Sequence, residues 1–339
     1  MGVVHATAWH TNAARAEVVA VADVSTARAR DVADRFTDGR ARTFSSPADL
    51  LADPAVEAVD ICLPHHLHAE TVGLAARAGK AILCEKPLCT TLDEAAAIGH
   101  VLRETGVPFM CAHNQLFQPS LIEAQRLLAA GSLGDVFLVR SIEASQNRMF
   151  RTGRLPVEIA AGESSHAWRA DLKRMGGGEV LDTGYHAAYR LLALAGERPV
   201  EVLAMTERYF VQEIDAEDTG LVLVRFASGM LGEIVTSWAF SLPGDWQFEI
   251  GAARGSLAGS PTRLLRRVYD EPQVTEETNQ EVHTYTSEVT HFLDVLQQGE
   301  PNRAGFEHAA RALQLIQAAY RSAAERRAVT LPETATSLA

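Results

Sequence analysis

Three lysines stand against 28 arginines in this chain, and one of them, Lys86, lies in Glu85-Lys86-Pro87 directly after the apolar run Ala81-Ile82-Leu83-Cys84. A guanidinium stays charged, whereas an ammonium on a flexible stem binds its proton less tightly when buried and can then exchange it with a substrate hydroxyl. Lys86 is therefore a candidate catalytic residue. A second cluster runs from Gly176 to His186, GGGEVLDTGYH. Successive glycines let a backbone pass close to a ligand. Asp182 and His186 are four apart, so a helix starting near Asp182 shows both on one face. An imidazole beside a fixed carboxylate is suited to moving a hydroxyl proton at neutral pH. Each cluster also has a plain structural reading, as a surface lysine after a strand and as an aspartate capping a helix.

The elements that must position these residues fall into two patterns. Over the first 112 residues, strands at Glu17 to Asp23, Ala58 to Leu63, Ala81 to Cys84 and Pro108 to Ala112 alternate with helices at Thr26 to Phe36, His68 to Ala78 and Leu92 to Thr105. This alternation predicts a parallel, doubly wound α/β sheet of the nucleotide-binding kind. The pattern changes around Asn114 to Pro119. Beyond it come a helix from Ser120 to Ala130, a strand from Val136 to Ala144 and a long polar segment from Ser145 to Met175. Strand runs then follow at Val200 to Tyr209, Gly220 to Phe226, Met230 to Phe240 and Phe248 to Ala252, before two closing helices at Ser287 to Gln298 and Gly305 to Arg326. Many strands with short connections predict an open, mostly antiparallel sheet with helices on one face. The expected division is a dinucleotide-binding domain over residues 1–113, a substrate-binding and oligomerisation domain over 114–332, and a tail over 333–339.

A formal net charge of -12 argues against nucleic-acid and anionic-membrane partners. No apolar run approaches the length of a membrane span, and the N-terminal residues read as neither a signal peptide nor a targeting segment, so a cytoplasmic protein is expected. Cys62, Cys84, Cys89 and Cys111 all lie in the first third and read as reduced, mostly buried thiols. No CxxC or HExxH spacing supports a metal site.

In a dinucleotide-binding unit, a glycine-rich turn brings pyrophosphate to a helix N-terminus, and an acid at the end of the second strand holds the ribose hydroxyls. Asp23 supplies the acid. Met1-Gly2-Val3-Val4-His5-Ala6 reads as the last part of a GxGxxG turn, with Gly2 as its third glycine. On that alignment the first strand and two glycines are missing. The strands at Glu17 to Asp23 and Ala58 to Leu63 should then flank a gap or close directly on each other, and a longer protein upstream of Met1 is expected.

Together these segments resemble the Gfo/Idh/MocA family of NAD(P)-dependent oxidoreductases. The resemblance rests on Asp23, Pro64-His65-His66-Leu67-His68, Glu85-Lys86-Pro87, the Gly176 to His186 segment and Ser322-Ala323-Ala324. It implies a Rossmann domain followed by a domain whose large open sheet forms a homodimer or homotetramer interface. It also implies hydride exchange between NAD, less readily NADP, and a secondary alcohol or ketone of a sugar, inositol or related polyol. Carried over by position, Lys86 and His186 share proton transfer while Asp182 positions the hydroxyl or the imidazole. Cofactor contacts are implied at Gly2, Asp23, Leu63, Pro64, His65, His68, Glu85, Lys86 and Asn114, and substrate contacts at Trp168, Arg169 and Tyr185 as well. Two departures stand out: Tyr189 where the family often has Asp, and Gln115 where many members have Arg. Arg148, Arg151, Arg154 and His166 add polar groups to the segment around Trp168. The competing functions are an NAD-dependent glycoside-cleaving enzyme and a non-catalytic sugar or nucleotide sensor.

Overall fold

The computed structural model describes residues 1–146 and 167–335, so Arg148, Arg151, Arg154 and His166 lie outside the described residues. The early alternation yields parallel strands, as expected, but in two separate sheets. Helix α1 (Gly2–Thr11) precedes β1 (Ala20–Ala22), α2 (Thr26–Thr37) and β2 (Arg42–Phe44), and β1 and β2 pair in parallel. After the short α3 (Pro47–Leu51) come β3 (Ala58–Ile61), α4 (His68–Arg77), β4 (Ala81–Glu85), α5 (Leu92–Thr105) and β5 (Phe109–Ala112). The three strands form a parallel sheet in that order. β1 and β3 do not pair with each other. Of the two arrangements expected there, the structure has the open one. β1 is shorter than the run Glu17 to Asp23, because a ladder on one edge supports fewer residues; all three of its residues are half-buried.

β4 is the element that aims Lys86. It is buried almost throughout, flanked by β3 and β5, and its end delivers Glu85 and Lys86 to the carboxyl edge of the sheet. Ligands bind at that edge in open α/β sheets. The turn after it is closed by a capping box at the start of α5, in which Thr91 Oγ1 accepts the Glu94 N–H while the Glu94 carboxylate accepts the Thr90 and Thr91 N–H groups. Such a cap stabilises a helix start by about 1 kcal/mol.

The remainder comprises α6 (Pro119–Ala129), β6 (Val136–Ala144), the one-turn helices α7 (Leu172–Met175) and α8 (Glu179–Asp182), and α9 (Gly184–Ala195). There follow β7 (Pro199–Glu207), β8 (Thr219–Phe226), β9 (Leu231–Ser237), β10 (Phe248–Ala252), β11 (Gly255–Gly259), β12 (Arg263–Val268) and β13 (Val274–Thr278). Helices α10 (Thr284–Gln298) and α11 (Phe306–Glu325) and the short β14 (Val329–Thr330) end the fold. Nine strands make one sheet in the order β13-β12-β11-β10-β6-β9-β8-β7-β14, parallel only between β6 and β9. Burial alternates strictly along β8, so one face meets the core under α9 and α11 and the other faces solvent. β2, α3 and β11 to β13 are additional to the sequence expectation. β13 is fully exposed and β12 is rich in arginine, a charged sheet edge with little apolar pattern to read. Among the described residues no helix is long and apolar enough to cross a membrane.

Candidate active site

Lys86 crosses from the parallel sheet to the Gly176 to His186 segment. Its Nζ donates to the Asp182 carbonyl oxygen at 2.6 Å and stands 3.2 Å from Asp182 Oδ1. The approach depends on glycine. Gly176 has a φ of 86°, and a Cβ there would lie 2.6 Å from the Cβ of Thr90 in the turn that follows Lys86. A Cβ at Gly178 would lie 2.3 Å from the Glu217 carbonyl oxygen. Arg169 pairs with the other Asp182 oxygen, and His65 Nε2 lies 3.6 Å from Oδ1. Burial lowers the Lys86 pKa to about 8 and that of Arg169 to about 10. A lysine so placed exchanges its proton within the working pH range.

Behind Lys86 lies a network that the motif reading missed. His5, 1% exposed, places Nδ1 2.8 Å from Asp60 Oδ2 and Nε2 3.0 Å from Glu85 Oε1. Two carboxylates require two donors, so His5 is an imidazolium. Burial alone would lower its pKa, but the Asp60 carboxylate holds it well above the ordinary histidine value. Trp9 Nε1 donates to Asp60 at 2.6 Å, and Glu85 Oε2 accepts the Lys86 N–H at 2.8 Å. His5, Asp60 and Cys62 also bring three potential metal ligands within 4.8 Å of one another. Burial pushes the Cys62 thiol up to about 12, and the imidazole already serves both acids. The signal that could have found the network is Asp60, an acid inside the apolar run Ala58 to Leu63.

Asp182 and His186 do not share the helix face expected of them. Asp182 ends α8, Thr183 intervenes, and His186 belongs to α9. The Asp182 carboxylate is taken by Lys86 and Arg169, while His186 Nδ1 meets the Tyr189 hydroxyl at 2.6 Å. Burial, reinforced by the charges of Lys86 and Arg190, pushes the His186 pKa well below the ordinary value. The expectation that His186 titrates near neutral pH is corrected accordingly. Tyr185 is corrected as a substrate contact: it is fully buried, donates to the Ala309 carbonyl at 2.8 Å and thereby ties α9 to α11. The Trp168 ring is edged by His65 at 4.5 Å and covered by the Arg169 guanidinium, 4.6 Å from its centroid. Arg169 thus seats its guanidinium on the Trp168 ring as a cation–π contact.

The residues expected at the cofactor lie at the start of α1 and around the ends of β1, β3, β4 and β5. Asp23 follows β1, accepts the Ser25 N–H at 2.7 Å and pairs with Arg28 at 2.9 Å. Leu63 and Pro64 form the half-buried turn after β3. His68 is fully buried and bridges this turn to the next, with Nε2 2.9 Å from the Leu63 carbonyl and Nδ1 2.7 Å from that of Pro87. It holds the two turns together and offers no polar atom to a ligand. His65 is likewise buried, its Nδ1 2.9 Å from the Met175 carbonyl. Asn114 donates to Thr284 Oγ1 at 2.9 Å and fixes the start of α10. Gly2 is exposed at the start of α1, a ten-residue helix with no acid in its first turn and no side chain capping its first N–H groups. A helix end left open in this way suits a phosphate group, and an acid beyond β1 suits ribose hydroxyls. The donor set therefore fits a nicotinamide dinucleotide.

This arrangement of a parallel nucleotide-binding sheet, a lysine at the end of its central strand β4 and a large, mostly antiparallel sheet defines a nicotinamide-dependent oxidoreductase. Comparison with known proteins agrees. Residues 1–113 match the oxidoreductase family with an NAD-binding Rossmann fold, and residues 121–258 match the GFO/IDH/MocA C-terminal domain. The D-xylose 1-dehydrogenase (NADP(+)) 2 of Haloferax volcanii is 31% identical over 322 residues, 93% of this chain and 92% of its own. The inositol 2-dehydrogenase of Rhizobium meliloti is 28% identical over 341 residues, 98% of this chain and 96% of its own. Levoglucosan dehydrogenase, solved with NADH and levoglucosan, superposes with a TM-score of 0.86 at 22% identity, covering 98% of this chain and 97% of its own. The chain belongs to the GFO/IDH/MocA oxidoreductase family.

Proposed function

We propose that this chain oxidises a secondary alcohol of a sugar, inositol or related polyol, or reduces the matching ketone, with NAD as the preferred cofactor. The observation that carries this reading is the Lys86 ammonium held between the Asp182 carbonyl and carboxylate at the end of β4. Bound NAD supplies the hydride acceptor. The protein must remove the hydroxyl proton as the carbon is oxidised, and Lys86, its pKa lowered to about 8, is the group poised to take it. Asp182 orients Lys86, Arg169 neutralises the remaining carboxylate oxygen, and Glu85, fixed by His5, anchors the Lys86 backbone. Residues 1–113 act as the cofactor domain and 114–332 as the substrate and assembly domain.

The solvent face of the nine-stranded sheet supports a homodimer or homotetramer. Leu203, Met205, Leu221, Leu223 and Leu231 are exposed there, beside Arg140, which bridges Glu233 and Glu249 at 2.5 Å each. The four free cysteines suit a reducing cytoplasm. The test is a dehydrogenase screen over sugars, inositols and sugar acids with NAD and NADP. Reduction of cofactor by a polyol supports the reading. Cleavage of a nitrophenyl glycoside without net NADH would favour glycoside cleavage instead, and binding without turnover a sensor.

A further inference from the structure

Tyr189 is fully buried, and its hydroxyl has two partners of different kinds. The Gln115 backbone N–H, which can only donate, approaches at 3.3 Å, and His186 Nδ1 lies at 2.6 Å. A phenol oxygen that accepts from an amide has one proton of its own to give, and the imidazole nitrogen is there to receive it. The opposite arrangement, with Nδ1–H donating, would leave the buried phenol proton without an acceptor among the described residues. The surroundings hold this geometry. The Tyr189 ring stacks on His113 with centroids 4.2 Å apart and planes 11° apart. Arg190, fully buried, fastens Gln115 by bonding its Oε1 and reaches the Ile142 carbonyl at 2.6 Å.

We propose that Tyr189 is a positioning residue that fixes His186 in the Nε2–H tautomer, so that the imidazole meets the substrate oxygen as a hydrogen-bond donor and Lys86 alone exchanges the reacting proton. This rests on the dehydrogenase reading. In the oxidative direction the substrate O–H bond breaks and its proton joins the Lys86 amine, the C–H bond breaks with its electron pair passing to NAD, and His186 keeps its own proton throughout. In reduction the same Nε2–H polarises the ketone while Lys86 returns a proton to the alkoxide. The charged groups around His186 act in the same sense, since Lys86 and Arg190 both disfavour an imidazolium and its neighbour His113 is held neutral by burial. Glu143, 3.3 Å from Arg190, is the carboxylate nearest that guanidinium.

The test reads the tautomer directly, by two-bond 15N–1H correlation spectra of the full chain labelled at histidine, with His186 assigned from the signals lost in His186→Gln. A protonated Nε2 and a bare Nδ1 in the unsubstituted protein are expected. In Tyr189→Phe the preference should relax toward a mixture, with kcat reduced about tenfold, the loss of roughly one hydrogen bond, and the midpoint set by Lys86 unchanged. A protonated Nδ1 at His186 in the unsubstituted protein overturns the proposal, as does an unaltered His186 spectrum in a folded Tyr189→Phe. The spectrum stands apart from turnover, so a chain that oxidises no polyol sinks the dehydrogenase reading while the tautomer result is still read.

Discussion

Lys86 Nζ donates to the carbonyl oxygen of Asp182 at 2.6 Å while standing 3.2 Å from the carboxylate of the same residue. One lysine thus joins the end of β4 to the glycine segment, 96 residues further along the chain.

Replacing Lys86 with Ala should lower the oxidation rate by roughly 100-fold or more, because it removes the proposed proton acceptor, and leave NAD affinity within several-fold. Equilibrium NAD titration and single-turnover kinetics separate the two effects. Near-normal turnover would remove Lys86 from the mechanism.

The pH dependence follows from the same group. With the free amine as the proposed proton acceptor, oxidation should rise as pH increases through about 8, and ketone reduction should fall over the same range. His186→Ala should slow the reaction yet keep this midpoint, since burial holds the imidazole neutral well below that pH. A midpoint that disappears with His186 would transfer the titration to the histidine.

His5→Leu leaves Asp60 and Glu85 as facing acids without their shared cation. Removing one partner of a buried ionic group costs on the order of 3 to 5 kcal/mol, which thermal unfolding would register as a large fall in Tm. The folded-state pKa of His5 lies well above its unfolded value, so its contribution is complete below about 6.5 and declines as pH rises through the folded value. Stability of the unsubstituted protein should show that decline, and His5→Leu should not. Equal pH dependence in both would refute the imidazolium assignment.

Asp23 should favour NAD by accepting from the ribose hydroxyls and repelling a 2′-phosphate. Arg28, paired with it at 2.9 Å, offsets part of that repulsion. Arg28→Ala should therefore raise the NAD preference and Asp23→Ala should lower it, as ratios of kcat/KM for the two cofactors. If neither substitution moves the ratio, Asp23 does not read the ribose.

The sequence made the large features legible because they depend on local pattern. Alternating apolar runs marked the strands around Lys86, and the glycines marked the close approach that brings Asp182 to it. What escaped depends on contacts between distant segments. Nothing local pairs His5 with Glu85, 80 residues away, or turns Tyr185 inward toward Ala309. The Asp182 and His186 spacing suggested one continuous helix, but the turn at Thr183 divides it, and each side chain finds another partner. The arginine-rich β12 and the exposed β13 lack the alternation that identifies a half-buried strand.

Among the described residues β1 pairs with β2 alone, and a two-stranded sheet is marginal without further support. Asp23 therefore sits on a segment whose amide protons should exchange with solvent earlier than those of β4, which is laddered on both edges. A dinucleotide grasped by Asp23 would tie that segment down. Cofactor concentration would then set how often this corner opens, and with it the rate at which a protease finds the chain.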